Sequence, residues 1–127
     1  MEHLVQMGLL YDFYAPLLTD KQRQIAEEYY FQNLSLAEIA EEDKTSRQAV
    51  HDLLRRTEEL LVRYEERLGL YKGFCQRRRI RAELKGGLGR LRSLVPEQMA
   101  EAHEEIRRLE LIVQAWARGE EGEEDSE

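Results

Sequence analysis

Residues 34–56 read LSLAEIAEEDKTSRQAVHDLLRR, and this stretch decides the fold of the chain. Apolar residues recur at helical spacing on both sides of a short polar break. The pattern predicts a helix over residues 36–42, a tight turn and a second helix from about residue 46. Two helices joined in this way are typical of a helix-turn-helix, which lays its second helix in a groove of DNA.

We expect the two helices to pack through apolar side chains on their facing sides. Three residues of the first helix should meet three of the second: Leu36, Ile39 and Ala40 against Ala49, Val50 and Leu53. The small side chain of Ala40 would let the second helix approach closely. This packing leaves the opposite side of the second helix to the solvent.

Polar residues occupy that outer side and are the candidate nucleic-acid-binding residues: Ser46, Arg47, Gln48, His51, Arg55 and Arg56. Arginine can bind guanine with two hydrogen bonds, and glutamine can do so with adenine. Arg55 and Arg56 lie where backbone phosphates would run, and the N-terminus of a helix favours an anion.

The same pattern has a second interpretation, in which the helices only pack together and the outer side is merely polar. Four carboxylates favour it, because they bring negative charge close to the candidate binding face: Glu41, Glu42, Asp43 and Asp52. Phosphates are repelled by such a surface.

Helix starts are indicated by three candidate capping boxes: Thr19 with Gln22, Ser35 with Glu38 and Thr45 with Gln48. They predict helices beginning near residues 20, 36 and 46, although Ser46 could replace Thr45 as the last cap. An earlier helix is indicated by Leu4, Leu10, Phe13, Tyr14 and Leu17. The helix from residue 46 should continue to Gly69, because neither glycine nor proline interrupts it.

The C-terminal part is also predicted to be helical. Residues 74–95 favour a helix that is weak or bent at Gly86, Gly87 and Gly89, since each glycine costs about 1 kcal/mol. Pro96 suits the first turn of a further helix that ends at Gly119. This last helix has an apolar stripe that either covers the core of one chain or forms a dimer seam: Met99, Ala102, Ile106, Leu109, Val113 and Trp116.

These elements predict an all-α protein with a helix-turn-helix domain over 1–72, a helical extension over 73–118 and a disordered acidic tail over 119–127. Net charge changes along the chain, from −5 over residues 1–75 to +6 over 76–95 and −8 over 96–127. Four arginines of the basic segment could bind phosphate or pair with the acidic C-terminal helix: Arg77, Arg78, Arg79 and Arg81.

Catalysis is not indicated, and neither is a metal or a cofactor. His3, His51 and His103 are far apart in sequence, and Cys75 has no evident base partner. The glycines near residue 87 lack the other features of a phosphate loop. With no signal peptide and no apolar run near the roughly 18 residues that span a bilayer, we expect a cytoplasmic protein without a membrane partner.

Residues 9–71 resemble the YlxM family of small bacterial proteins, whose helix-turn-helix is similar to region 4 of sigma factors. Three segments carry the resemblance: YAPLLTDKQR at 14–23, LSLAEIAEE at 34–42 and SRQAVHDLLRRTE at 46–58. The chain departs from the family in the turn, where Lys44 and Thr45 replace a glycine and an apolar residue. A glycine would relieve a left-handed backbone there, whereas Lys44 would carry strain or force a different turn.

The resemblance implies a cytoplasmic regulatory or accessory protein of the signal recognition particle pathway. Its expected partners are DNA, the particle's RNA and the particle's GTPase, and a homodimer would suit paired DNA half-sites. Three hypotheses therefore remain open: a nucleic-acid-binding regulator, an acidic adaptor that binds the GTPase or its RNA without duplex DNA, and a structural dimer without a ligand.

Overall fold

The computed structural model describes residues 2–125, with side chains as far as Gly119, and every element in this part is helical. Six α-helices follow one another: α1 His3–Tyr14, α2 Asp20–Ala26, α3 Leu36–Asp43, α4 Arg47–Leu68, α5 Leu70–Leu94 and α6 Ala100–Asp125. A 3₁₀ turn, Ala15–Leu17, follows α1, and a π-helix, Glu27–Phe31, continues α2. The predicted all-α fold with a helix-turn-helix and a C-terminal helical extension is confirmed.

The chain divides into two compact units after Gly73. The first contains α1 to α4 and the first turn of α5. The second contains the rest of α5 and α6. The assignment of separate roles to residues 1–72, 73–118 and 119–127 stays a prediction.

The core of the first unit consists of two clusters that share α4. One cluster joins α1 and α2 to Leu61, and its members are Met7, Leu10, Tyr11, Tyr14, Leu18 and Ala26. The other joins α2, α3 and α4 through Ile25, Ile39, Ala40, Val50 and Leu54. On α4 the residues buried by this packing recur every three or four positions, namely Val50, Leu54, Thr57 and Leu61. This inner stripe is what fixes the long helix against the others.

The predicted helix starts are confirmed, but only two of the three predicted caps are. Thr19 and Ser35 each accept a hydrogen bond from the amide three residues on, and the residue at that position reaches back, as a capping box requires. The Thr45 box is wrong. Ser46 caps α4 instead, accepting a hydrogen bond of 3.0 Å from the Ala49 amide.

The turn between α3 and α4 has the left-handed residue that the sequence suggests. Lys44 ends α3 with a φ of 55° and a ψ of 45°. Its own amide and that of Thr45 donate to carbonyls of the last turn of α3, so the C-terminus of that helix is satisfied. A lysine in this conformation retains the steric strain that a glycine would avoid.

The C-terminal helices differ from the prediction in three places. The α5 helix begins at Leu70 and runs through Gly86, Gly87 and Gly89 without a break, because the surrounding leucines, arginines and lysine are strong helix formers. Pro96 lies in the turn before α6 and not in its first turn. The α6 helix continues past Gly119 to Asp125, while residues 126–127 of the predicted tail lie outside the described residues.

Tyr14 and Glu65 stabilise the connection between α4 and α5, a role that the sequence analysis did not predict for either residue. Gly69 ends α4 in a left-handed conformation, and the Leu70 amide donates to the hydroxyl of Tyr14. That hydroxyl donates in turn to Glu65 at 2.6 Å. The Glu65 carboxylate also accepts the amides of Tyr71 and Lys72, so it caps the first turn of α5.

Replacing Lys44 with glycine should stabilise the protein. The substitution removes left-handed strain of about 1–2 kcal/mol, and the greater freedom of glycine in the unfolded chain offsets part of this gain. We expect a net increase of about 0.5–1 kcal/mol in the free energy of unfolding, measured by urea denaturation. The control is Lys44→Ala, which removes the charge but keeps the strain. Equal effects of the two substitutions would contradict this account of the turn.

Replacing Tyr14 with phenylalanine should destabilise the protein by about 1–3 kcal/mol, because the Leu70 amide and the Glu65 carboxylate lose a partner in a largely buried site. The matched control is Tyr29→Phe, a partly buried tyrosine with no hydroxyl hydrogen bond among the described residues, for which we expect less than about 0.5 kcal/mol. Both values come from urea denaturation at neutral pH.

Alkaline pH provides a second measurement on the same variant. Burial, followed by the hydrogen bond to Glu65, raises the pKa of Tyr14 to about 12. The unfolded chain therefore loses this proton first, near its ordinary pKa of about 10, and stability falls as pH rises above that value. We expect a smaller decline for Tyr14→Phe than for the unaltered chain. An equally steep decline in both would show that Tyr14 is not part of the alkaline transition.

Candidate nucleic-acid interface

The helix-turn-helix consists of α3, the turn at Lys44–Ser46, and the N-terminal half of α4. Val50 and Leu54 of α4 are buried against Ile39 and Ala40 of α3. Leu36 and Leu53 pack partly buried at the edge of this cluster, as predicted. Since one side of α4 is committed to this core, its other side is the only one that a ligand could reach.

One predicted core residue lies on the wrong side. Ala49 is exposed, and Leu54 takes the place in the core that the sequence assigned to it. The reason is the helical spacing of the buried residues. Val50 and Leu54 are four positions apart and share the buried stripe, whereas Ala49 lies about 100° from Val50 around the helix.

The predicted binding residues lie together on one face of α4, which also contains Asp52. We call it the outer face of α4, and it consists of Ser46, Arg47, Gln48, His51, Asp52, Arg55 and Arg56. All are exposed except Asp52, which is partly exposed. They span about three turns from the N-terminus of the helix. The hydroxyl oxygen of Ser46 is engaged in capping, whereas Arg47 and Arg56 make no ion pair among the residues whose side chains are described.

Asp52 holds two of the candidate base-reading side chains. The Gln48 amide donates to its carboxylate at 3.0 Å, and the Nδ1 atom of His51 lies 3.5 Å from the same oxygen. Further along the face, the Nε atom of Arg55 lies 3.4 Å from Glu59. These contacts are exposed and weak, so a phosphate or a base edge could displace them at little cost.

Carboxylates nonetheless outnumber cations around the interface. Residues 36–60 contain four lysines and arginines against seven aspartates and glutamates. One of these acids is neutralised from a neighbouring helix, because Lys21 of α2 binds Asp43 at 2.8 Å. No local sequence pattern indicates this ion pair, since the two residues are far apart along the chain. The electrostatic attraction of the interface for a polyanion is therefore modest.

The four arginines of the basic segment lie in the second unit, on two different parts of the α5 surface. Arg78 and Arg81 line a groove of about 400 Å³ between α5 and α6, whereas Arg77 and Arg79 are exposed elsewhere on α5. The guanidinium of Arg78 stacks on Phe74 at 5.7 Å, and that of Arg81 stacks on Trp116 at 5.3 Å.

The sequence missed Lys85 as a third cation of this groove. It lies four residues after Arg81 and seven after Arg78, so it shares their side of α5. The helical spacing could have revealed it, because Lys85 precedes the glycines at which the helix was predicted to be weak or bent. Leu88, Val113 and Ala117 provide the apolar part of the groove.

Other kinds of site find little support in the described part of the chain. No group of three histidine, cysteine, aspartate or glutamate side chains there is arranged to hold a metal ion. No helix within residues 2–125 combines the length and the apolar character that a membrane span requires.

The fold and the exposed face of α4 define a helix-turn-helix protein. Comparison with known families agrees: the family described as "Putative helix-turn-helix protein, YlxM / p13 like", UPF0122, matches residues 1–102. The chain belongs to this family. The resemblance to YlxM proteins that the sequence suggests is thereby confirmed, and the matched region ends near the start of α6.

Bacterial relatives match over most of their own length. A UPF0122 protein of Listeria welshimeri is 42% identical over 105 residues, which cover 83% of this chain and 94% of the relative. One of Geobacillus kaustophilus is 49% identical over 90 residues, covering 71% and 82%. One of Bacillus cereus is 44% identical over 110 residues, covering 87% and 99%. The family is described by its helix-turn-helix and not by an enzymatic activity.

Proposed function

We propose that this chain is a non-enzymatic regulatory or accessory protein of the bacterial cytoplasm that binds nucleic acid through the outer face of α4. One observation carries the proposal: the N-terminal half of α4 is packed on one side only, and the opposite side presents Arg47, Gln48 and His51 to the solvent. These side chains could approach base edges, with Arg55 and Arg56 on the flanking phosphates. The Ser46-capped N-terminus of α4 would favour a phosphate close by.

The pathway is part of the same proposal. The resemblance to sigma region 4 and to YlxM proteins supports a place in the signal recognition particle pathway, with DNA or the particle's RNA as the nucleic acid. A homodimer would present two α4 helices to paired half-sites. The basic segment of α5, with Arg77, Arg78, Arg79 and Arg81, is proposed as a secondary phosphate contact.

An acidic adaptor is the second candidate, and the carboxylates at the interface favour it. Asp52 and Glu59 contact the very side chains that would bind a duplex, and the whole chain has a net charge of −7. Such a protein would bind a basic partner, for which the particle's GTPase or an exposed RNA–protein surface is the candidate. Duplex DNA would then not be a ligand.

The double substitution Arg55→Gln and Arg56→Gln tests the first candidate. We expect weaker binding to duplex DNA or to the particle's RNA, and a plot of log affinity against log salt whose slope is shallower by up to about 2, because two phosphate contacts are lost. Fluorescence anisotropy across a salt series measures both. The matched control is Arg63→Gln with Arg67→Gln, which removes the same charge from exposed positions beyond the interface on α4.

The same experiment should measure binding of the unaltered chain to duplex DNA, to the particle's RNA and to the GTPase. Equal losses in the test and control variants would mean that only total charge matters, and the outer face of α4 would then not be the site. Binding to the purified GTPase with none to either nucleic acid at low salt would reject the first candidate in favour of the adaptor.

Asp52→Asn should strengthen nucleic-acid binding about two- to fivefold at low salt, since it removes one exposed carboxylate and releases Gln48 and His51. The effect on stability should stay within about 0.5 kcal/mol, the size of one helical side-chain pair. Titration of the same labelled nucleic acid measures the gain, and Glu66→Gln on the distal half of α4 is the charge-matched control. Unchanged or weaker binding for Asp52→Asn would show that Asp52 does not oppose the ligand.

A further inference from the structure

The second unit leaves most of its large apolar side chains exposed. Among the described residues from 74 onward, only Leu88 and Ile106 of the hydrophobic side chains are buried. Eight others are exposed: Ile80, Leu84, Leu91, Leu94, Met99, Leu109, Leu111 and Ile112. Two helices that bury so little apolar surface between them need a further partner to form a stable core.

Within this unit α5 and α6 run antiparallel. The His103 Nε2 atom lies 3.0 Å from the Val95 carbonyl near the connection, and Arg92 binds Glu110 further along. The stacking of Arg81 on Trp116 follows in the same order. As numbering rises along α5 it falls along α6, which defines a helical hairpin.

The hairpin has two different sides. On α5 the residues Arg81, Lys85 and Leu88 line the groove. The exposed Ile80 and Leu84 each precede one of these residues by one position, and the exposed Leu91 follows Leu88 by three. An offset of one residue is about 100° around a helix, so the exposed residues form a separate stripe. Leu94 continues it three residues after Leu91, and Gly87 fills the gap in the middle.

The same offset occurs on α6. Glu110, Val113 and Ala117 line the groove, and the exposed Leu109 and Ile112 each precede a groove residue by one position. When two antiparallel helices face each other, the residues that precede the facing residues by one position lie on the same side of the pair. The exposed stripes of α5 and α6 therefore lie on one side of the hairpin. Together they form one surface, the apolar face, which consists of Ile80, Leu84, Leu91, Leu94, Leu109 and Ile112.

We propose that the apolar face is a homodimer interface, covered by the apolar face of a second copy of the chain to form a four-helix bundle. The arrangement places α5 of each copy against α6 of the other. It deepens the proposed function by locating the dimer contact, and it does not depend on which nucleic acid is bound.

Charge is the reason that a second copy fits this face. Residues 76–95 contain seven lysines and arginines and one glutamate, whereas residues 96–119 contain three arginines and five glutamates. Packing α5 against a second α5 would bring like charges together, but α5 against the α6 of a partner pairs opposite charges. A two-fold interface makes both of these favourable contacts at once.

The proposed interface differs in part from the dimer seam that the sequence analysis suggested on α6. Of the predicted stripe on α6, Ile106 is buried within the single chain and Val113 lines the groove. Those two residues therefore belong to the packing of one hairpin, as the alternative interpretation held. On α6 the proposed seam keeps Leu109 of the predicted stripe and adds Ile112, while α5 contributes the other four residues.

The test is the mass of the full-length chain in solution, measured by light scattering on a gel-filtration column across a dilution series. We expect twice the mass of a single chain for the unaltered protein and a single-chain mass for Leu84→Glu with Ile112→Glu. The matched control is Leu111→Glu, an equally exposed leucine on α6 outside both stripes, which should remain dimeric. Circular dichroism at 222 nm shows whether each variant keeps its helices.

A milder variant guards against misfolding. Leu84→Ala retains helix propensity and adds no charge, and we expect it to raise the dimer dissociation constant at least about tenfold, a loss of 1.4 kcal/mol of association free energy. A single-chain mass for the unaltered protein at every concentration would overturn the proposal, and so would dissociation by Leu111→Glu equal to that by the face variants. Nucleic-acid binding by a monomeric chain would in that case leave the proposed function standing.

Discussion

Burial of one stripe of α4 is the constraint on which the rest of the first unit depends. Val50 and Leu54 hold α3 against this helix, and Leu61 holds α1 and α2. Thr57 belongs to the same stripe although it is polar, because its hydroxyl donates to the Leu53 carbonyl at 2.8 Å and so remains satisfied when fully buried. A helix anchored at both core clusters can present its opposite side as a rigid surface.

The electrostatics of that surface indicate how it could act. Its cations are few, and several neighbours are acids, so long-range attraction for nucleic acid is weak. Binding would then depend on short-range contacts at a specific site more than on non-specific attraction to phosphates. An acidic chain of this kind would not coat DNA generally, which suits a regulatory or accessory protein that engages one partner at a defined place.

Much of the fold could be predicted from local sequence because its determinants are local. The caps at Thr19 and Ser35, the stop at Gly69 and the left-handed turn at Lys44 each rest on residues within a few positions of one another. The exposure of Arg47 and Gln48 followed from the periodicity of the same helix. Local patterns of this sort are read well from sequence because tertiary contacts agree with them.

The features that could not be predicted from the sequence depend on contacts between distant residues or on the combined effect of many neighbours. The bond from Tyr14 to Glu65 that starts α5 at Leu70 joins residues 51 positions apart, and no local pattern reveals it. Three glycines suggested a weak or bent helix because each is unfavourable alone, whereas the many helix-forming neighbours keep α5 continuous. The role of Asp52 as a shared acceptor for Gln48 and His51 needed the actual side-chain positions.

The most direct measurement of the central claim is a nuclear magnetic resonance titration of the isotope-labelled full-length chain with duplex DNA and with the particle's RNA at low salt. The account predicts that amide signals of residues 46–56 shift on binding, while those of residues 60–68 on the same helix stay in place. Shifts confined to the distal half of α4 or to α5, or no shift with either nucleic acid, would contradict it.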